Sequence, residues 1–133
     1  MEDDFSRDTD KLLPEEGWEN LEIIEMREGI SQTKNPKYIV YLASAYEPSL
    51  RLQIDLTNIP GKRWLLRQLI EATGIELKEN EEGKKVYNWE IEDLINKTVS
   101  AQIIHDKTPF IDRNGNEIII PKAKVVAFKK ISV

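Results

Sequence analysis

The residues of this chain whose types and spacing could do chemistry are aromatic rings interleaved with cations. That chemistry is recognition rather than catalysis. A tyrosine or phenylalanine face can take a stacked base, and a neighbouring lysine or arginine can take the phosphate between two bases. Each stacked base contributes roughly 1–3 kcal/mol, so two or three rings matter as much as the charges. The front half of the chain offers Lys34, Lys37, Tyr38, Tyr46 and Arg51, and the rear half offers Lys107, Phe110, Arg113, Lys122 and Lys124. Arg51 points away from the apolar side of its own segment, where Leu52 and Ile54 alternate with it. Tyr38 and Tyr46 share one strand face and Tyr41 the other, so the three cannot all be platforms. Phe110 lies in a loop between Lys107 and Arg113, where a core role is hard to assign.

Catalytic arrangements are missing. The sequence has no glycine-rich phosphate loop, no Ser-His-Asp order and no helical Glu-x-x-His. Asp55, Asp93 and Asp106 could hold magnesium in a nuclease, but nothing in the sequence fixes their geometry. There is no cysteine, and His105 is the one histidine, which removes disulfides, thiolate zinc sites and histidine-rich metal centres. The expectation is a protein that is not an enzyme and uses no cofactor or metal.

Charge is unevenly spread over the 133 residues. Residues 1–16 hold seven acids against Arg7 and Lys11, which accounts for the whole net charge of −5. From Lys97 to Val133 seven bases stand against Asp106, Asp112 and Glu117, so the last part of the chain is basic. The acidic start has neither the basic beginning nor the apolar centre of a signal peptide, and no apolar run approaches the roughly 18 residues of a membrane span. A cytoplasmic protein is expected, with a flexible acidic segment at 1–16 and a single domain at 17–133.

These side chains need elements to position them. Trp18–Glu28 reads as a first strand with imperfect alternation, which a bulge would reconcile. The stretch 29–36 is rich in turn residues. Lys37–Tyr46 is a β-rich run, and Leu50, Leu52, Ile54 and Leu56 then alternate with Arg51, Gln53, Asp55 and Thr57, so the two form a hairpin. Ile59–Gly74 reads as one amphipathic helix, with Thr57 or Asn58 as cap, Pro60 in its first turn and Gly74 as its stop. Trp64 projects opposite its leucine stripe, and the charged hairpin around Glu81-Glu82-Gly83 is expected to fold back over it. Val99, Ala101 and Ile103 mark a fourth strand, Asn114-Gly115 a hairpin loop, and 118–131 a long last strand. Three strands, a helix and two strands is the order of a five-stranded OB-fold barrel. In that fold the binding surface lies on strands two and three and the first–second and fourth–fifth loops, where the candidate residues fall.

Four stretches carry a family resemblance: Glu16-Gly17-Trp18-Glu19, Ser31-Gln32-Thr33-Lys34-Asn35-Pro36, Trp64 through Gly74, and Asp93-Leu94-Ile95-Asn96-Lys97-Thr98-Val99. In order and spacing, over residues 14–130, the chain resembles a family of small phage-encoded single-stranded DNA-binding proteins, long described as a domain of unknown function. The resemblance implies an OB-fold at work in phage replication or recombination in the bacterial host cytoplasm, as a homodimer or beside a replication or recombination partner. This chain departs from the family in ending on Lys129-Lys130-Ile131-Ser132-Val133 where many members have an acidic tail. The competing expectation is a protein-interaction module that uses the acidic N-terminus and Trp64 to engage a replication or host protein.

Overall fold

The computed structural model describes residues 14–44, 47 and 50–131. Tyr46 and the acidic residues of 1–13 lie outside the described residues. The elements are β1 (Gly17–Ile30), β2 (Pro36–Ser44), β3 (Arg51–Thr57), α1 (Trp64–Ala72), β4 (Leu77–Glu79), β5 (Lys85–Tyr87), α2 (Ile91–Leu94), β6 (Thr98–Asp106), β7 (Phe110–Ile111), β8 (Glu117–Ile118) and β9 (Lys122–Lys129). Five of the strands form one antiparallel sheet in the order β3-β2-β1-β6-β9.

Strand β1 belongs to two ladders. Gly17–Glu22 pairs with β6, and Leu21–Ile30 pairs with β2. Between Ile23 and Glu25 the register slips by one residue. The slip brings Leu21, Ile23 and Met26 all into the core, although Met26 is out of phase with the other two in a strict period of two. The Ile23 carbonyl accepts from the Asn96 N–H at 2.7 Å, and the Ile23 N–H donates to the Lys97 carbonyl at 2.9 Å. The chain at 96–97 thereby continues the β1–β6 pairing to Ile23, next to the bulge, whose unpaired residue is Ile24. Asn96 has φ 67°, a left-handed conformation that asparagine tolerates better than most residues.

The core is the concave side of this sheet, closed by α1. Val40 and Leu42 from β2, Leu56 from β3, Val99, Ala101 and Ile103 from β6, and Val125 and Phe128 from β9 meet Leu66, Leu69 and Ile70 of the helix. Gln68 fastens α1 to β9 by accepting from the Phe128 N–H at 3.0 Å. The edge strands β3 and β9 approach each other, but among the described residues no ladder joins them. Hydrogen bonds therefore do not close the expected barrel.

Other differences are local. The helix starts at Trp64, not Ile59: residues 59–62 form a turn closed by the Lys62 N–H on the Ile59 carbonyl at 2.9 Å, and Pro60 sits in that turn. Neither Thr57 nor Asn58 caps it; the residue before it is Arg63, with no side-chain cap. Gly74 does end it, at φ 99°, donating its N–H to the Glu71 carbonyl at 3.0 Å. The stretch 118–131 is not one strand. Pro121, which cannot donate to a ladder, and Ile119 and Ile120 separate β8 from β9. The charged hairpin forms as β4–β5, yet Trp64 stays 60% exposed, so the hairpin walls a cleft beside the ring instead of covering it.

The last residues before β1 are tied down. The Pro14 carbonyl accepts from His105 Nε2 at 2.6 Å, and the Glu16 carboxylate accepts from the His105 backbone N–H at 3.1 Å. Those contacts carry the packed part of the chain back to residue 14, into the segment expected to be flexible.

Candidate nucleic-acid interface

Directly paired residues in an antiparallel ladder share a face. Tyr38, Val40 and Leu42 of β2 pair with Leu56, Ile54 and Leu52 of β3, and these look inward. The convex face then carries Lys37, Ile39, Tyr41 and Ala43 of β2 with Thr57, Asp55, Gln53 and Arg51 of β3, and beside them Glu25 and Arg27 of β1. Six residue steps from Arg51 to Thr57 make this face about 20 Å long, enough for several nucleotides.

Tyr41 stands in the middle of it. Its partners across the strands are Glu25 and Gln53, and its hydroxyl accepts from Arg27 Nη2 at 3.2 Å. The ring is therefore held by a cation that itself faces solvent. Arg51 is exposed and pairs with Ala43, whose side chain is small. At the other end Lys34 sits in the turn between β1 and β2, at φ 62°, with its N–H on the Ser31 carbonyl at 2.9 Å. Ser31 Oγ and Thr33 Oγ1 are 3.0 Å apart, and Asn35 donates to both side chains, so this turn is a built structure that presents Lys34 outward.

Two of the expected residues behave differently. Tyr38 is on the inner side, edge-on to Trp89 with centroids 5.4 Å apart. Burial, with help from Glu28, raises its phenol above the ordinary value. The structure thus places Tyr38 with the core and apart from the other candidates. Lys37 is on the convex face, but its Nζ lies 2.8 Å from Asp55 Oδ2 and its side chain is only 21% exposed. Most of its charge is already answered.

A second cluster lies on the arm between β6 and β9. Asp112 builds the tip by accepting from the Asn114 and Asn116 N–H groups, each at 2.9 Å, and Gly115 turns the chain at φ 80°. Phe110 is 44% exposed and Ile111 73%, with Ile119 and Ile120 also exposed behind them. Lys107, Arg113, Lys122 and Lys124 are exposed around this apolar arm. Lys122 pairs across the ladder with Asp106. Thr108 holds that carboxyl below its usual range by donating from its hydroxyl and backbone N–H, and Lys124 and Lys122 lower it further.

Two convex-face residues, Arg27 and Gln53, escape a reading by residue type alone, and residue type cannot choose Tyr41 over Tyr38. The available signal was parity. Once Leu52, Ile54 and Leu56 define the inner side of β3, the ladder assigns Tyr41 outward and Tyr38 inward. Trp18 adds a ring on the outer side of the β1–β6 ladder, with Lys129 Nζ 4.1 Å from its centre.

Among the described residues no three histidine, aspartate or glutamate side chains are grouped to hold a metal ion, and no helix is long and apolar enough to cross a membrane. Comparison with known proteins finds no family model that matches the chain and no curated protein that is significantly similar to it.

Proposed function

We propose that this protein is a non-enzymatic OB-fold that binds single-stranded DNA with little sequence preference. The observation that carries the reading is the convex face of β1–β2–β3, where Arg27, Tyr41, Gln53 and Arg51 stand in register beside the Lys34 turn. A ring for stacking, two exposed guanidiniums for phosphates, one of them also bonded to that ring's hydroxyl, and an amide for a base edge are the parts such a surface needs. The sheet order, with β1 shared by two ladders and the helix between the third and fourth long strands, is compatible with an OB-fold. The arm bearing Phe110, Lys107 and Arg113 supplies a second set of contacts at the position of the fourth–fifth loop. The resemblance of the four sequence stretches adds the setting: phage replication or recombination in a bacterial cytoplasm, with replication or recombination proteins or a second copy as partners.

The test is a tryptophan-fluorescence titration with oligo-dT, duplex DNA and RNA at two salt concentrations. Tight, steeply salt-dependent binding of oligo-dT over duplex is the expected result. No binding, or equal affinity at both salt concentrations, rejects the reading.

A further inference from the structure

A cleft of about 650 Å³ runs between α1 and the β4–β5 ribbon, on a different part of the molecule from the convex face. The apolar part of its lining comes from Trp64 on the helix, Leu77 and Val86 on the ribbon, and Trp89. Arg63, Arg67 and Lys85 also line it, while the Glu71 carboxylate stands just behind the lining, bonded to Arg67 and to the Tyr87 hydroxyl, and Glu79 is the cross-strand partner of Lys85. In a chain of net charge −5 a lining whose charged side chains are three cations, only partly offset by Glu71 and Glu79 behind it, favours an anionic occupant.

The cations are prepared for carboxylates. Arg67 Nε donates to Glu71 at 2.9 Å and to the Tyr87 hydroxyl at 3.1 Å, and the guanidinium lies 5.6 Å from the Tyr87 ring centre. These contacts fix the plane of the guanidinium through Nε and leave its two terminal nitrogens for a bidentate acceptor. Arg63 and Lys85 are exposed on opposite walls.

The aromatic geometry favours a peptide over nucleic acid. Trp89 is met edge-on by Tyr38, and Arg67 covers a face of Tyr87. Of the lining rings Trp64 is the exposed one, at 60%, while Tyr87 and Trp89 are half-buried, which suits one anchoring side chain better than a run of stacked bases. Among the described residues the β4–β5 ribbon pairs with no other strand, so its edges can also receive an extended backbone.

We propose that this cleft docks an acidic peptide segment of a partner protein, seating one aromatic or large aliphatic side chain against Trp64 and its carboxylates on Arg63, Arg67 and Lys85. The site is independent of the convex face, so it stands or falls apart from the DNA-binding reading.

The experiment uses the full chain and a fluorescein-labelled dodecapeptide in which four aspartates flank a single phenylalanine. Fluorescence anisotropy should show saturable binding that weakens at least tenfold when the aspartates become asparagines or the phenylalanine becomes serine. Trp64→Ser, and separately the pair Arg63→Glu and Lys85→Glu, should each weaken it at least tenfold while oligo-dT affinity stays within twofold. The charge-reversed pair lies on the surface and keeps the test valid if Trp64→Ser does not fold. Absence of saturable binding, equal binding of the asparagine peptide, or displacement of the peptide by oligo-dT would overturn the proposal, the last by reassigning the cleft to nucleic acid.

Discussion

Replacing Tyr41 separates stacking from charge on the convex face. The ring lies in the centre of that face between Glu25 and Gln53, and the core does not depend on it. If it supports one base, Tyr41→Ala removes roughly 1–3 kcal/mol, or about 5- to 150-fold in affinity for oligo-dT. Tyr41→Phe keeps the ring and loses only the hydrogen bond from Arg27, so it should bind within a few fold of the parent. Arg51→Gln acts through phosphate. Each phosphate contact to a single strand contributes about −0.7 to the slope of log K against log salt, so a fourfold rise in salt weakens binding about 2.6-fold per contact. Arg51→Gln should flatten the salt dependence by about that factor, whereas Tyr41→Ala should lower affinity at every salt concentration and leave the slope unchanged. Anisotropy titrations of a labelled oligo-dT at 50 and 200 mM salt read both quantities. Native affinity in Tyr41→Ala, or a changed slope in that variant with none in Arg51→Gln, refutes the assignment.

Other outcomes follow from the same geometry. Because Asp55 answers Lys37, Lys37→Ala should weaken oligo-dT binding less than Arg51→Ala does, and Asp55→Asn should tighten it by freeing the lysine. Leu69 is fully buried where α1 meets the sheet, so Leu69→Ala should destabilise the fold by about 2–5 kcal/mol in urea unfolding. Hydrogen bonds from Tyr87 and Arg67 hold the Glu71 carboxyl below its usual range, and the bond to Glu71 raises the Tyr87 phenol. The bond needs an ionised Glu71 and a neutral Tyr87. It is therefore present at neutral pH, is lost as pH falls through the lowered carboxyl pKa, and is lost again as pH rises through the raised phenol pKa. Glu71→Gln should bring the Tyr87 titration, followed by ultraviolet absorbance, back toward about 10.

The sequence made the strands of this protein legible where one face is wet. The alternation from Leu50 to Thr57 describes β3 correctly, and the irregular phase of Trp18–Glu28 pointed to the bulge found at Ile23. What it did not reveal depends on partners distant in sequence. Helical periodicity cannot tell that residues 59–62 close a turn of their own, and it extended α1 backward by five residues, from Trp64 to Ile59. Tyrosine parity within β2 is readable from the sequence, but which parity faces out depends on the pairing with β3, which turns Tyr38 inward and Tyr41 outward. The pairing of Lys37 with Asp55 joins residues on two strands and leaves no mark in either segment alone.

The double membership of β1 has a consequence for the order of assembly. Its pairing with β2 closes through a short turn, whereas its pairing with β6 joins Gly17 to Ile103. On a chain made from its N-terminus, β1, β2 and β3 can meet early, while the other side of β1 waits until most of the protein has been synthesised. Loop-closure entropy makes that late docking the slow event, and residues 96–97, which bind Ile23 beside the bulge, arrive with it.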